Sequence, residues 1–254
     1  MTVSNRSLSR GLAIVRVFND IPSPSLTEIS TRVNLTKATC LRFLRTLQEE
    51  GYVSHDEDSK RYRLRPLVLE LGYAALSSLS LPLIAENEME ILANEVGGSA
   101  HLGLLDGDEV VVVARSVASL ETRKLVTMNI HVGSRLPAHC SAMGRILIAQ
   151  HDDITASIAT LNISAMTPKT LVNRNQLVKE VELSAQRGWA IVEEDMGIGY
   201  SALATLVKAG TQQYGLAVSV NTKDYARDKL IKDVLPLLTE ASNRLEKSFR
   251  YGHS

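Results

Sequence analysis

The sequence predicts an α+β protein: an N-terminal winged helix-turn-helix, a linker helix, and a C-terminal domain with an antiparallel sheet flanked by helices. Three observations predict it. Three helical patterns close on a short hairpin before residue 66, an almost uncharged helical stretch follows, and hairpin-linked strands mixed with amphipathic helices fill the rest. With 254 residues, 44% of them hydrophobic, the chain is long and apolar enough to bury more than one core. The expected boundaries are 1–65, 66–81 and 82–254.

Leu8, Leu12, Val15 and Phe18 recur at helical spacing, with Ser7 as a candidate cap and Pro22 and Pro24 as the stop. Ser25 and Glu28 form a capping-box pattern that opens a second short helix to about Arg32. Asn34 marks the turn, and Thr36 can cap a third helix that runs to Glu50 and ends at Gly51. A tight link between the second and third helices is the helix-turn-helix arrangement. On a helical wheel the third helix places Cys40, Leu41, Leu44 and Leu47 inward and Ala38, Thr39, Arg42, Arg45 and Thr46 outward. Small side chains early in the helix with arginines behind them suit insertion into a DNA major groove, and Lys37 in the first turn suits a phosphate. A solvated helix face is the competing explanation.

The hairpin favours DNA. Tyr52, Val53, Tyr62 and Leu64 alternate with polar residues, and Arg61, Arg63 and Arg65 line the other side of the second strand, as in a wing. Asp56, Glu57 and Asp58 would be repelled by phosphate at the tip, so Lys60 and Arg61 are expected to meet the backbone from the wing's side. The whole chain is neutral, with 28 basic and 28 acidic side chains, yet residues 1–45 carry seven basic side chains against Asp20 and Glu28, leaving −5 on the remainder. The polyanion partner therefore belongs to the N-terminal part, with Thr36, Lys37, Ala38, Thr39, Arg42, Arg45, Thr46, Lys60 and Arg61 as candidate DNA contacts.

The stretch "LVLELGYAALSSLSL" from Leu67 spaces Leu67, Leu71, Ala74 or Ala75, and Leu79 along one helical face, which is expected to pair with a second subunit. A helix over Pro82–Val96 precedes two strands joined at Asp106-Gly107-Asp108, a hairpin signal. Further expectations are a strand at Lys124–Ile130, helices at His139–Gln150, Asp152–Leu161 and Asn173–Arg187, and strands at Trp189–Glu193, Ala202–Lys208 and Tyr214–Val220. A long helix from Tyr225 to Arg250, with Pro236 near its middle, closes the chain.

Two cysteines far apart, no N-terminal apolar leader and no long uncharged apolar run point to a cytoplasmic protein with reduced thiols and no membrane partner. No histidine or cysteine spacing suits a metal, and the phosphate-binding glycine motifs are missing, so no cofactor is expected. The segment "HVGSRLPAHCSAMGRILIA" brings Pro137, His139, Cys140 and Ser141 to a helix start, where backbone N–H groups favour a carboxylate. The competing explanations are an ordinary cap over a buried cysteine, or a thiol hydrolase with Cys140 as nucleophile and His139 as base. Adjacent residues at a helix start point different ways, which weakens the dyad. The cluster Glu193, Glu194 and Asp195 reads as a solvated acidic loop.

Taken together, "LSRGLAIVRVF", "GSRLPAHCSAMGRILIA", "TPKTL", "GWAIVEED" and "GLAVSV" resemble the isocitrate lyase regulator (IclR) family of bacterial transcription factors across nearly the whole chain. "VVVVARS" followed by "GSRLPAHCSAMG" is similar to the branch that regulates catabolism of aromatic acids such as protocatechuate and p-hydroxybenzoate. The resemblance implies a GAF-like effector domain that encloses a small ligand, homodimers or homotetramers, and a double-stranded DNA operator. It places ligand contacts on His139, Cys140, Ser141, Ala142 and Met143 and on Ser201, Ser219 and Asn221. The chain departs from the family at Tyr200 and "ALATLV", where relatives carry an arginine and an Ile-Ala-Val-Pro-like strand. The resulting expectation is a non-enzymatic regulator that senses a small, aromatic organic acid. The alternatives are the hydrolase and a constitutive DNA-binding protein whose C-terminal domain only oligomerises.

Overall fold

A computed structural model describes residues 5–119 and 128–251, excepting the side chains at 80–84 and 251. It divides into two compact units, Met1–Ser78 and Leu79–Ser254.

In the first unit, α1 (Arg6–Asp20), α2 (Leu26–Arg32) and α3 (Lys37–Glu49) pack with the hairpin β1 (Val53–Asp56) and β2 (Arg61–Leu64). The capping box at α2 has both halves: the Glu28 carboxylate accepts from the Ser25 N–H at 2.7 Å, and the Glu28 N–H donates to Ser25 Oγ. That N–H bond, with Arg61 adding to it, holds the Glu28 carboxyl below the usual range. Asn34 (φ 52°) and Gly51 (φ 83°) take the left-handed turns on either side of α3. Ile14, Phe18, Ile29, Cys40, Leu44, Val53 and Tyr62 form the core, with His55 and Tyr62 facing each other across the hairpin. Two expectations for α1 are corrected. Asn5 rather than Ser7 is the cap, accepting from the N–H groups of Ser7 and Leu8. Ile14, Val17 and Phe18 make the buried face, while Leu8 and Leu12 are 62% and 50% exposed.

The linker helix is shorter than expected: α4 (Val68–Ser77) stops before Ser78, and α5 (Ser80–Val96) begins two residues later. No α4 side chain is buried among the described residues.

The second unit is organised by a six-stranded antiparallel sheet in the order β5-β4-β3-β8-β7-β6. Its strands are β3 (Ser99–Asp106), β4 (Glu109–Val117), β5 (Arg135–Pro137), β6 (Trp189–Glu193), β7 (Tyr200–Ala209) and β8 (Gln212–Asn221). One face carries α5 and the C-terminal helix, marked by the Thr205–Ser242 hydroxyl pair at 2.6 Å and by the Arg244–Glu88 ion pair. The other carries α6 (Ala142–Ile148), α7 (Ile154–Thr160) and α8 (Arg174–Arg187) over Val110, Val112, Ala190, Val192, Ala204 and Ala217. Gly103 and Gly215 lie directly beneath Met143: a Cβ on Gly215 would sit 2.9 Å from the Met143 Cβ.

The segment expected as a helix from His139 is a strand and a tight turn first. β5 leads into a 3₁₀ turn at Ala138–Cys140, and α6 starts at Ala142 with Ser141 as its cap. The expected strand at Lys124–Ile130 falls mostly on 120–127, outside the described residues; Met128–Ile130 are not strand. At the C-terminus, α9 (Arg227–Lys229), a π turn (Leu230–Val234) and α10 (Leu235–Tyr251) replace one regular helix. Pro236 explains it. The ring lacks an N–H and collides with the carbonyl four residues back in a regular helix, and a wider turn placed there relieves both.

Candidate functional site

In the first unit, α3 exposes Thr36, Lys37, Ala38, Arg42, Arg45 and Thr46. Thr36 caps the helix through the Thr39 N–H and also meets the Thr39 hydroxyl at 2.9 Å, so those two side chains hold the helix start in shape. Lys60 is exposed at the hairpin turn. Arg61, with 45% of its side chain exposed, donates from its guanidinium to the Ser23 carbonyl at 2.5 Å and pairs with Glu28, tying the wing to the start of α2. At the wing tip, Asp56 accepts from the N–H groups of Ser59 and Asp58, which holds its carboxyl below the usual range and fixes the turn.

In the second unit a cavity lies between the Ser141–Met143 segment and the sheet. Strand alternation decides what lines it. On β7, Tyr200 and Ala202 face in; on β8, Ala217 and Ser219; on β3, His101, which pairs in register with Ala217. Ile130, Leu136 and Met196 complete an apolar wall. The space not filled by protein atoms is about 270 Å³, but only about 10 Å³ is open to the centre of a water molecule, roughly one water's requirement.

The polar groups gather on the sheet side. Burial pushes the Tyr200 phenol up to about 12, with the neighbouring Ser219 hydroxyl and Arg115 charge acting against the shift. His101 is 2% exposed; its Nε2 meets Ser99 Oγ at 2.9 Å, and its Nδ1 has no hydrogen-bond partner among the described residues. Burial, aided by the positive charge of Arg115, holds the imidazole down to about 3, so it is neutral at any physiological pH.

Of the ligand contacts expected from the sequence, Ser141, Ala142, Met143 and Ser219 line this cavity, and His139, Cys140, Ser201 and Asn221 do not. Ser201 falls between Tyr200 and Ala202 and so points to the opposite face, the one that carries α10. Asn221 ends β8, where its side-chain oxygen accepts from the Lys223 N–H. His139 is buried, with Nε2 against the Ser164 carbonyl at 2.9 Å. Cys140 donates weakly to the Pro137 carbonyl, and burial together with the Asp195 charge pushes its thiol up to about 12. Burial disfavours the thiolate that a nucleophilic Cys140 would need, and His139 is turned to the Ser164 carbonyl, so the geometry lends no support to the hydrolase alternative. Ser141 spends its hydroxyl on the Gly144 N–H at 3.0 Å.

Asp195, expected in a solvated acidic loop, is instead buried and paired with Arg145. Its carboxylate also accepts from the N–H groups of Glu193 and Leu171, and Arg145 donates to the carbonyls of His139 and Ile191. Glu194 in the same loop pairs with Lys169 and accepts from the Gly199 N–H. The loop that supplies Met196 and leads to Tyr200 is therefore fastened to α6 and to the turn before it. His101, Met196 and Tyr200 were missed in the sequence; the alternation of the "SAHLGLLD" strand with its one histidine was the available signal for His101.

Residues 73–247 match the family described as "Bacterial transcriptional regulator IclR C-terminal", and residues 7–57 match "IclR helix-turn-helix domain". The chain belongs to the IclR family. This IclR-family chain is 32% identical to the Pca regulon regulatory protein of Pseudomonas putida, over 94% of its own length and 82% of the relative's. It is 28% identical to the p-hydroxybenzoate hydroxylase transcriptional activator of Acinetobacter baylyi (strain ATCC 33305 / BD413 / ADP1), over 94% and 89% of the two lengths. An IclR homolog from Microbacterium hydrocarbonoxydans, solved in complex with 4-hydroxybenzoate, shares its fold with a TM-score of 0.82 at 20% identity, covering 96% of this chain and 99% of that one. The IclR chain is thus a DNA-binding transcriptional regulator and not an enzyme. Among the described residues no helix is long and apolar enough to cross a membrane, and no group of three or more His, Cys, Asp or Glu could hold a metal.

Proposed function

We propose that the cavity beneath α6 receives a small aromatic acid, and that its occupation alters how strongly the helix-turn-helix unit holds its operator. The observation that carries this reading is a mostly apolar pocket with hydroxyl and imidazole groups buried on one side of it. The regulators of aromatic catabolism among its relatives, and the hydroxybenzoate held by a protein of the same fold, support the choice of ligand. The cavity is too small for a benzene ring as it stands, so binding requires Met143 and Met196 to move; unbranched thioether side chains are suited to that.

On the operator side, Arg42 and Arg45 read base edges from the exposed face of α3, with Lys37 and Lys60 on phosphates. Arg61 positions the wing. Leu71, 62% exposed, shares one face of α4 with the exposed Ala74 and Ala75, and this face forms the seam of a homodimer in the cytoplasm. A monomeric mass in solution for the full chain would rule that seam out.

Operator titration with and without 4-hydroxybenzoate, on the parent and on Ser219→Ala, tests the cavity. The acid is expected to change operator affinity by about 5- to 150-fold, the usual range of coupling between two sites. Ser219→Ala should shrink that change and leave the ligand-free affinity unaltered. An equal response in the variant would place the effector elsewhere. A parent that answers to no aromatic acid would favour a C-terminal unit that only oligomerises.

A further inference from the structure

We infer that His101 reads a hydroxyl group on the effector's ring: its Nδ1 is the buried atom that pairs with a neutral O–H, while the acid's carboxylate lies away from it. The inference rests on the cavity being the effector site and goes one step further, to which atom of the ligand meets which atom of the protein.

His101 stands on β3, an interior strand paired on both sides, with β4 and β8. Its backbone cannot shift to relieve an unpaired nitrogen without breaking two ladders. One ring nitrogen is engaged by Ser99, the other has no partner among the described residues, and the side chain lines the cavity. A buried polar atom left unpaired is costly, so a group that pairs with it is recognised strongly.

Which group fits follows from the chemistry of the pair. The Ser99 hydroxyl can donate to Nε2 or accept from it, so His101 is free to hold either tautomer and Nδ1 presents either a hydrogen or a lone pair. A hydroxyl answers both. A carboxylate answers only the first, and it would bring a full charge beside an imidazole that is 2% exposed and stays neutral. Arg115 faces His101 across the strand pair, and its positive charge acts on both the imidazole and the Tyr200 phenol, which is itself held neutral. The interior end of the cavity therefore favours the uncharged end of a hydroxylated aromatic acid.

Calorimetric titration of the full chain with benzoate, 3-hydroxybenzoate and 4-hydroxybenzoate tests this, on the parent, His101→Phe and His101→Gln. The parent should bind one of the hydroxybenzoates about 10-fold or more tighter than benzoate, the worth of one buried hydrogen bond. His101→Phe should abolish that preference with benzoate affinity little changed, and His101→Gln, which keeps a hydrogen-bonding group, should retain part of it. Preference kept in His101→Phe overturns the assignment and leaves the cavity as the effector site. Benzoate binding lost in His101→Phe but kept in His101→Gln also overturns it, because the carboxylate would then be at His101. A parent that binds benzoate as tightly as either hydroxybenzoate overturns it without any variant. A parent that binds none of the three overturns the effector reading as well.

Discussion

Removing the Asp195 carboxylate is expected to destabilise the C-terminal unit severely. In Asp195→Ala the Arg145 guanidinium, with only 5% of its side chain exposed, keeps its charge and loses the anion beside it. Breaking one side of a buried pair typically costs about 3–5 kcal/mol, because the surviving charge cannot be rehydrated. The N–H groups of Leu171 and Glu193 lose their acceptor in the same step, which pushes the cost toward the upper end. Trp189, the one tryptophan in the sequence, lies on β6 of this unit, so its fluorescence reports the unfolding directly. With a urea dependence of about 2 kcal/mol per molar, the midpoint should fall by about 1.5–2.5 M. Arg145→Met combined with Asp195→Leu should recover most of the loss, since an apolar pair of similar volume leaves no stranded charge. A midpoint within about 0.5 M of the parent for Asp195→Ala would refute the reasoning.

Two further outcomes follow from other parts of the molecule. Arg42→Ala should cost roughly 1–3 kcal/mol at the operator and relax base preference, while Lys60→Ala should weaken all sequences alike and flatten the salt dependence; footprints across mutated operators check both, and intact discrimination in Arg42→Ala would remove it as a reader. The His101 imidazole, ordinary at 6.5 when unfolded and held near 3 when folded, takes up its proton earlier in the unfolded chain. Its contribution is complete above pH 6.5 and lost as pH falls toward 3, with a slope approaching about 1.4 kcal/mol per pH unit. Urea midpoints of the parent and of His101→Phe between pH 4.5 and 7.5 should therefore converge or cross toward acid, and parallel curves would contradict the burial argument.

The winged helix-turn-helix was legible in detail because local chemistry specifies it. The Ser25–Glu28 box, the Thr36 cap and the Asn34 and Gly51 turns each act over three or four residues, and each appears where the sequence puts it. The C-terminal strands were legible from alternation, which says which residues share a face. Alternation does not say which face is the cavity's, and Ser201 was expected beside it for that reason although it points to the other face: a hydroxyl at the start of a strand looks useful whichever way it points. Asp195 was misread because three acids in a row resemble a solvated loop, and its partner lies 50 residues away on α6. Leu8 and Leu12 fitted a helical stripe whose buried face runs through Ile14 and Phe18 instead.

Gly103 and Gly215 carry a consequence for how such a regulator changes its ligand. Both glycines lie under the Met143 turn, so the height of α6 above the sheet is set by two missing side chains. Adding a single methyl group at Gly215 would meet Met143 backbone as well as side chain, and it would lift the helix start that roofs the cavity. The depth of the chamber can thus be retuned from its floor by shifting the Ser141–Met143 roof, with His101, Tyr200 and Ser219 on the sheet left in place. A lineage can change the girth of this chamber by one small substitution before it alters any polar group on the sheet side.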